Sequence, residues 1–149
     1  MCNFIGGGSQ NCITGLRGSI IVGGELNTNS GTYNTIVGGR ANTVSGYRGF
    51  LGGGCFNKTT GNDSFIGGGC KNLISANIST IVGGSFNTAS GASSFIGGGT
   101  SNTASGAHNF VGGGCLNNSL NAHWIVTGKL LAPEAVLKEP NNCRNISTY

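Results

Sequence analysis

The groups able to move protons are few. Glu25, Asp63, Glu134 and Glu139 are all the carboxylates of the chain, and His108 and His123 are all its imidazoles. Acid–base catalysis needs such groups converging on one reacting atom, and these are scattered along the sequence. Glycine-rich turns such as Gly6 to Gly8 invite a phosphate-binding reading. A phosphate loop, however, needs Lys-Ser/Thr directly after its last glycine, and a dinucleotide fingerprint needs G-x-G-x-x-G opening a helix; neither is present. Six cysteines show no C-x-x-C pair, so a zinc site is not expected. The chain reads as non-enzymatic, with no catalytic residue, no cofactor and no metal ion.

The cysteines carry more information by position. Cys55, Cys70 and Cys115 each follow a Gly-Gly-Gly. If Cys55 and Cys70 lie on neighbouring turns of a regular fold, a separation near 5 Å permits a disulfide. Reduced, half-buried thiols are the expectation for a chain without a secretion signal. Cys2, Cys12 and Cys143 are candidates for links between chains.

Composition narrows the class. Thirty glycines in 149 residues stand against a usual share of roughly 7%, without a collagen triplet. Only 8% of the residues are charged and 37% are apolar, which is not the signature of a disordered tail. The net charge of +4 is spread as single Arg and Lys residues, so nucleic acid is not an expected partner. No apolar run approaches a membrane span, and Met1 to Gly8 lacks the pattern of a signal peptide. The expectation is a chain made inside the cell or a piece of something longer, with no insertion into membranes.

What must position the remaining residues is a repeat. Two or three glycines follow an apolar pair at Phe4-Ile5, Ile21-Val22, Ile36-Val37, Phe50-Leu51, Phe65-Ile66, Ile81-Val82, Phe95-Ile96 and Phe110-Val111, with a degenerate ninth at Ile125-Val126. An asparagine follows in each of the first eight units: Asn11, Asn27, Asn42, Asn57, Asn72, Asn87, Asn102 and Asn117. Ser or Thr stands three residues later in seven of the eight, usually before a glycine. A period near 15 is too short for helix pairs, and glycine at this density opposes helix. The expected fold is all-β: a parallel β-roll or β-solenoid of eight to nine coils over residues 1–128, with a C-terminal cap or tether over 129–149. Stacked at about 4.8 Å, eight coils would make a rod roughly 40 Å long.

Neighbouring residues of a strand face opposite sides, so the two apolar columns cannot share one interior. With the second member of each pair inside (Ile5, Val22, Val37, Leu51, Ile66, Val82, Ile96, Val111), the first forms an outer stripe of Phe4, Ile21, Ile36, Phe50, Phe65, Ile81, Phe95 and Phe110. A stripe of this kind needs a cover, which makes it the expected contact between chains. The asparagines are expected to form an internal ladder, since buried polar groups must be paired. Ile13, Val44, Ile74, Ala89 and Ala104, two residues further on, are expected inside as well. Trp124, Leu130, Leu131, Val136 and Leu137 are the expected cap over the open last coil. The sequons at Asn57, Asn62, Asn77, Asn117 and Asn145 arise readily by chance in such a repeat, and Asn57 and Asn117 belong to the inward column.

The unit resembles the YadA-like head repeats of trimeric autotransporter adhesins and related segments of viral and phage fibres. Ser94-Phe95-Ile96-Gly97-Gly98 with Asn102-Thr103-Ala104-Ser105-Gly106 carries the resemblance, which extends over residues 4 to about 128. It implies a left-handed parallel β-roll and a homotrimer with the outer apolar column at or near the threefold contacts. No coiled-coil stalk or membrane-anchoring barrel is visible in this sequence. The expectation is therefore a structural fibre, spike or capsid decoration element at a virion surface. Other structural proteins would join its ends, and a host-surface receptor or glycan would be its outward partner. The head of a bacterial cell-surface adhesin is the alternative. Asn42-Thr43-Val44-Ser45-Gly46 is also similar to the units of grass ice-binding β-rolls. There, however, the column after the asparagine must be regular, and Lys58 and Leu73 interrupt it. Glycan binding would draw on Tyr33, Tyr47 and Trp124.

Overall fold

A computed structural model describes residues 2–120 and the backbone of 125–127. It is an all-β parallel solenoid in which each repeat makes one coil, and none of the described residues is helical. One nine-stranded sheet stacks Phe4–Ile5, Ile20–Ile21, Thr35–Ile36, Phe50–Leu51, Phe65–Ile66, Thr80–Ile81, Phe95–Ile96, Phe110–Gly113 and Ile125–Thr127 in chain order. The second, eight-stranded sheet stacks Cys12–Ile13, Thr28–Asn29, Thr43–Val44, Lys58–Thr59, Leu73–Ile74, Thr88–Ala89, Thr103–Ala104 and Asn118–Ser119. All these pairings are parallel, so coil follows coil without crossing: Thr43 N donates to Asn57 O at 2.9 Å and Lys58 N to Asn72 O at 2.8 Å. Coils are numbered here from one to eight by their asparagine, Asn11 to Asn117. The expected cap residues Trp124, Leu130, Leu131, Val136 and Leu137, like Cys143 and Asn145, lie outside the residues whose side chains are described.

The register corrects one column of the sequence reading. Ile21, Ile36 and Ile81 are buried, and they pair along the sheet with Ile5, Leu51, Ile66 and Ile96. Their outward neighbours are Ile20, Thr35 and Thr80, which align with Phe4, Phe50, Phe65 and Phe95. Val22, Val37 and Val82, expected inside, are exposed. The cause is phase. Counted back from the asparagine, the outward residue is always the seventh and the inward residue the sixth, in coils with two glycines and coils with three alike. A two-glycine coil has merely a valine where its neighbours have their first glycine, so aligning coils on the apolar pair slips them by one residue. In a strand that slip exchanges the two faces.

The interior is thin. One wall is Ile21, Ile36, Leu51, Ile66, Ile81, Ile96 and Val111; the other holds Val44, Ile74, Ala89 and Ala104, with Ile13 packed at the edge. Asn29 and Thr59 interrupt the second wall with polar groups, both buried. Asn29 is paired: its Nδ2 donates to Asn34 O at 3.1 Å, and its Oδ1 accepts from Asn34 Nδ2 at 3.3 Å.

Closing a coil in 15 residues requires sharp corners, and these fall on other residues as well as on glycine. The residue before each asparagine has φ between 54° and 60° in all eight coils. A second corner, nine residues before the asparagine, places Tyr33, Arg48, Asp63, Ile78, Ser93 and His108 at φ 52–59°. Left-handed backbone costs an L-residue about 1–2 kcal/mol, most for a β-branched one, and Ile78 is β-branched and solvent-exposed. Ile78→Asn is therefore expected to stabilise the solenoid by about 0.5–1 kcal/mol, because asparagine tolerates this conformation. The urea midpoint measures it.

Candidate functional site

The asparagine column is the frame on which every surface is hung. Asn72 is buried, and its Nδ2 donates to Gly68 O of its own coil at 3.0 Å and to Gly84 O of the next at 2.9 Å. Its Oδ1 accepts the backbone N–H of Asn87 at 3.0 Å, while its own N–H goes to Asn57 Oδ1 at 2.9 Å. The same set recurs through Asn42, Asn57, Asn87 and Asn102. Asn27 makes the same bonds lower in the rod, and Asn11 begins the column less buried. Asn117 donates to Gly113 O at 2.8 Å in the eighth coil. The glycine three residues before each asparagine is required by this contact. At Gly69, φ is 87°, and a Cβ would collide with the Gly84 carbonyl and lie 2.7 Å from Asn72 Nδ2.

A second internal column escaped the sequence reading. Eight residues before each asparagine stand Asn3, Ser19, Asn34, Gly49, Ser64, Ser79, Ser94 and Asn109. Their side chains bond the opposite corner: Ser79 Oγ to Gly91 O at 3.0 Å, Ser94 Oγ to Gly106 O at 3.1 Å, Asn34 Nδ2 to Gly46 O at 2.7 Å. Gly49 breaks the column, and Asn34 serves it by accepting the Gly49 N–H with Oδ1 at 2.6 Å. The signal was present as Ser or Asn in seven of eight units once they are counted from the asparagine.

On this frame the first sheet presents an apolar outer face. Phe4, Phe50, Phe65, Phe95 and Phe110 of the predicted contact stripe point outward, whereas Ile21, Ile36 and Ile81 do not. Phe50 and Phe65 stack at 5.2 Å between ring centroids, and Phe95 and Phe110 at 5.0 Å. The rings of Phe4, Phe50, Phe65 and Phe95 each lie against a glycine of their own coil: a Cβ on Gly52 would be 3.6 Å from Phe50 Cε1, and one on Gly67 3.4 Å from Phe65 Cε1. A valine at that position would compete for the ring's space. Valine occurs there only where Ile20, Thr35 or Thr80 replaces phenylalanine, as Val22, Val37 and Val82. Phe-over-Gly and Thr-or-Ile-beside-Val thus alternate to fill one surface that carries no charged residue in either column.

The second sheet faces out with Thr28, Thr43, Lys58, Leu73, Thr88 and Thr103, between Cys12 and Asn118 at its ends. Exposed Ser30, Ser45, Ser90 and Ser105 accompany its threonines. Apart from Lys58, the ion pairs and charges described here lie at the corners. Arg48 reaches Asp63 at 2.7 Å and lies over the Tyr47 ring at 4.8 Å, and its guanidinium pKa is raised by the hydrogen bond and the charge of Asp63. Arg40 pairs with Glu25 at 3.4 Å. Tyr33 meets Tyr47 edge-on at 5.6 Å. Glu25 and Asp63 are thereby engaged on separate coils and converge on no common atom.

The cysteine column is also a correction. Cys55 and Cys70, expected as thiols, are joined by a disulfide between coils four and five, with Cα atoms 4.6 Å apart. Parallel stacking brings like positions to that distance. Cys115 holds the same position in coil eight, and Cys2 and Cys12 are exposed free thiols. Of the sequons, Asn57 and Asn117 are buried in the ladder and Asn62 and Asn77 are exposed.

No family model and no curated protein matches the chain.

Removing the Asn72 rung of the frame takes away the partner of the Gly68 carbonyl and of the Asn87 N–H, and leaves Gly84 O with the Cys70 N–H alone. Asn72→Ala is expected to cost about 2–4 kcal/mol, measured by urea denaturation against wild type. An exposed control such as Asn62→Ala should cost much less.

Proposed function

We propose that this chain is a non-enzymatic structural rod, a fibre, spike or decoration element of a virion surface, assembled as a homotrimer through the outer face of its first sheet. The observation that carries the reading is that face itself: five phenylalanines and three valines with Ile20, fitted to one another and free of charge. A soluble monomer rarely exposes a contiguous apolar patch of such extent without a partner for it. Burial of the rings between copies supplies the driving force, at about 25 cal/mol per Å2 of apolar area removed from water. The resemblance to trimeric head repeats supports threefold packing. Ile21, Ile36 and Ile81 belong to the core of each rod and leave the contact to Ile20, Val22, Val37 and Val82.

Sedimentation equilibrium of the pure chain tests this. Masses in multiples of three copies are expected. Phe65→Ser combined with Phe95→Ser is expected to weaken the threefold contact about a hundredfold or more while leaving the buried frame intact. A wild-type protein without threefold association at tens of micromolar would overturn the proposal.

A second reading rests on the other sheet, where Thr28 pairs in register with Thr43 and Thr88 with Thr103. Such hydroxyl rows suit an ordered water or ice surface, although Lys58 and Leu73 divide them. Thermal hysteresis by a monomeric chain would favour this reading, and its absence from a trimer would favour the rod.

A further inference from the structure

The corner before the asparagine column carries a pattern that neither sheet face explains. From coil one to coil eight it reads Gln10, Leu26, Ala41, Phe56, Lys71, Phe86, Ser101, Leu116. Bulky apolar residues occupy every even coil and smaller or polar ones every odd coil. Leu26 is 40% exposed, Phe56 51%, Phe86 52% and Leu116 61%. All four sit in left-handed backbone, at φ 60°, 55°, 57° and 58°. Side chains of this size are doubly disfavoured there, by conformation and by water.

Crowding does not force the alternation. Phe50 and Phe65 stack on consecutive coils of the first sheet, so neighbouring coils accept two rings. The even-coil teeth instead stand two coils apart, about 9.6 Å at the spacing of parallel strands, with a notch between each pair. Lys71, the one charged side chain in a notch, leans toward Phe86, with Nζ 4.9 Å from the ring centroid.

Four teeth and four notches at one pitch on one edge form a self-complementary surface. With eight coils, an antiparallel copy in full overlap sets coil one against coil eight, two against seven, three against six and four against five. Every tooth then meets a notch: Leu26 faces Ser101, Phe86 faces Ala41, Phe56 faces Lys71 and Leu116 faces Gln10. A parallel copy in register would set tooth against tooth. We propose that this edge is an interlocking seam for a second, antiparallel copy of this chain, separate from the threefold face. Arg40 then faces Ser85 and Glu25 faces Thr100, so no like charges meet. The two Lys71 side chains lean away from the central axis. An edge eight coils long and about three columns wide matches the roughly 20–30 residues a side of a stable interface.

Sedimentation equilibrium of the full chain at several concentrations reads the seam as a factor of two in assembly mass, distinct from the factor of three of the phenylalanine face. Either factor is therefore visible if the other is absent. Phe56→Ser with Phe86→Ser is expected to halve the mass, with an unchanged β-sheet circular dichroism spectrum. Ala41→Phe fills a notch and is expected to weaken the seam at least about tenfold, although it adds apolar surface. Because coil three faces coil six in the fully overlapped antiparallel arrangement, and coil four in a parallel one slipped by a single coil, adding Phe86→Ala to Ala41→Phe is expected to restore it, and adding Phe56→Ala is not. Three results would each overturn the proposal: a wild-type mass without the factor of two, tighter association of Ala41→Phe, or equal rescue by both second substitutions.

Discussion

The amide of one asparagine per coil is the interaction on which the rest of the molecule depends. A coil of 15 residues has room for few interior side chains, and its corners turn backbone carbonyls and N–H groups inward where water cannot reach them. Buried backbone groups must be paired. The asparagine supplies two donors and an acceptor at that point, tying its own coil, the coil after it and the next asparagine together. The Ser and Asn column does the same at the opposite corner. Apolar burial is modest in so thin a fold, so hydrogen-bond satisfaction sets the period, and the period sets the surfaces.

Once the period is fixed, like residues fall in line along the rod and each column becomes a long surface of one kind. The first sheet carries phenylalanine and valine, the second threonine and serine, and the corners hold the ion pairs. The Phe-over-Gly and Val-beside-Thr alternation keeps the first face filled although no residue type is constant along it. Repetition at a fixed spacing turns single side chains into surfaces of constant pitch, the property on which both proposed contacts rest. The proposed threefold packing and the proposed antiparallel seam rest on different columns and different spacings, and they differ in how they recognise a partner. The face offers area, whereas the corner offers a pitch.

Tolerance of strain follows the same logic. In coils three to eight two corners place ordinary residues in left-handed backbone, and the parallel ladder holds them there. Strain that persists is strain the surroundings over-determine. At Ile78 it carries no visible return. Across Leu26, Phe56, Phe86 and Leu116 it lifts bulky side chains clear of the coil.

The repeat, the parallel all-β solenoid and the inward asparagine were all determined by the sequence alone, because a 15-residue period with one constant polar residue has few other physical solutions. The outward set of Phe4, Phe50, Phe65, Phe95 and Phe110 was legible for the same reason. Which of Ile21 and Val22, Ile36 and Val37, or Ile81 and Val82 points inward was decided by tertiary register. Both members are apolar and β-branched, so residue type is silent; the constant distance to the asparagine carries the phase, and it is the stacking of asparagine on asparagine that makes that distance, and not the apolar pair, the one to count by. The Cys55–Cys70 bond and the left-handed corners also belong to the assembled coil. Each depends on where one turn lies against the next, a distance that a single repeat does not contain.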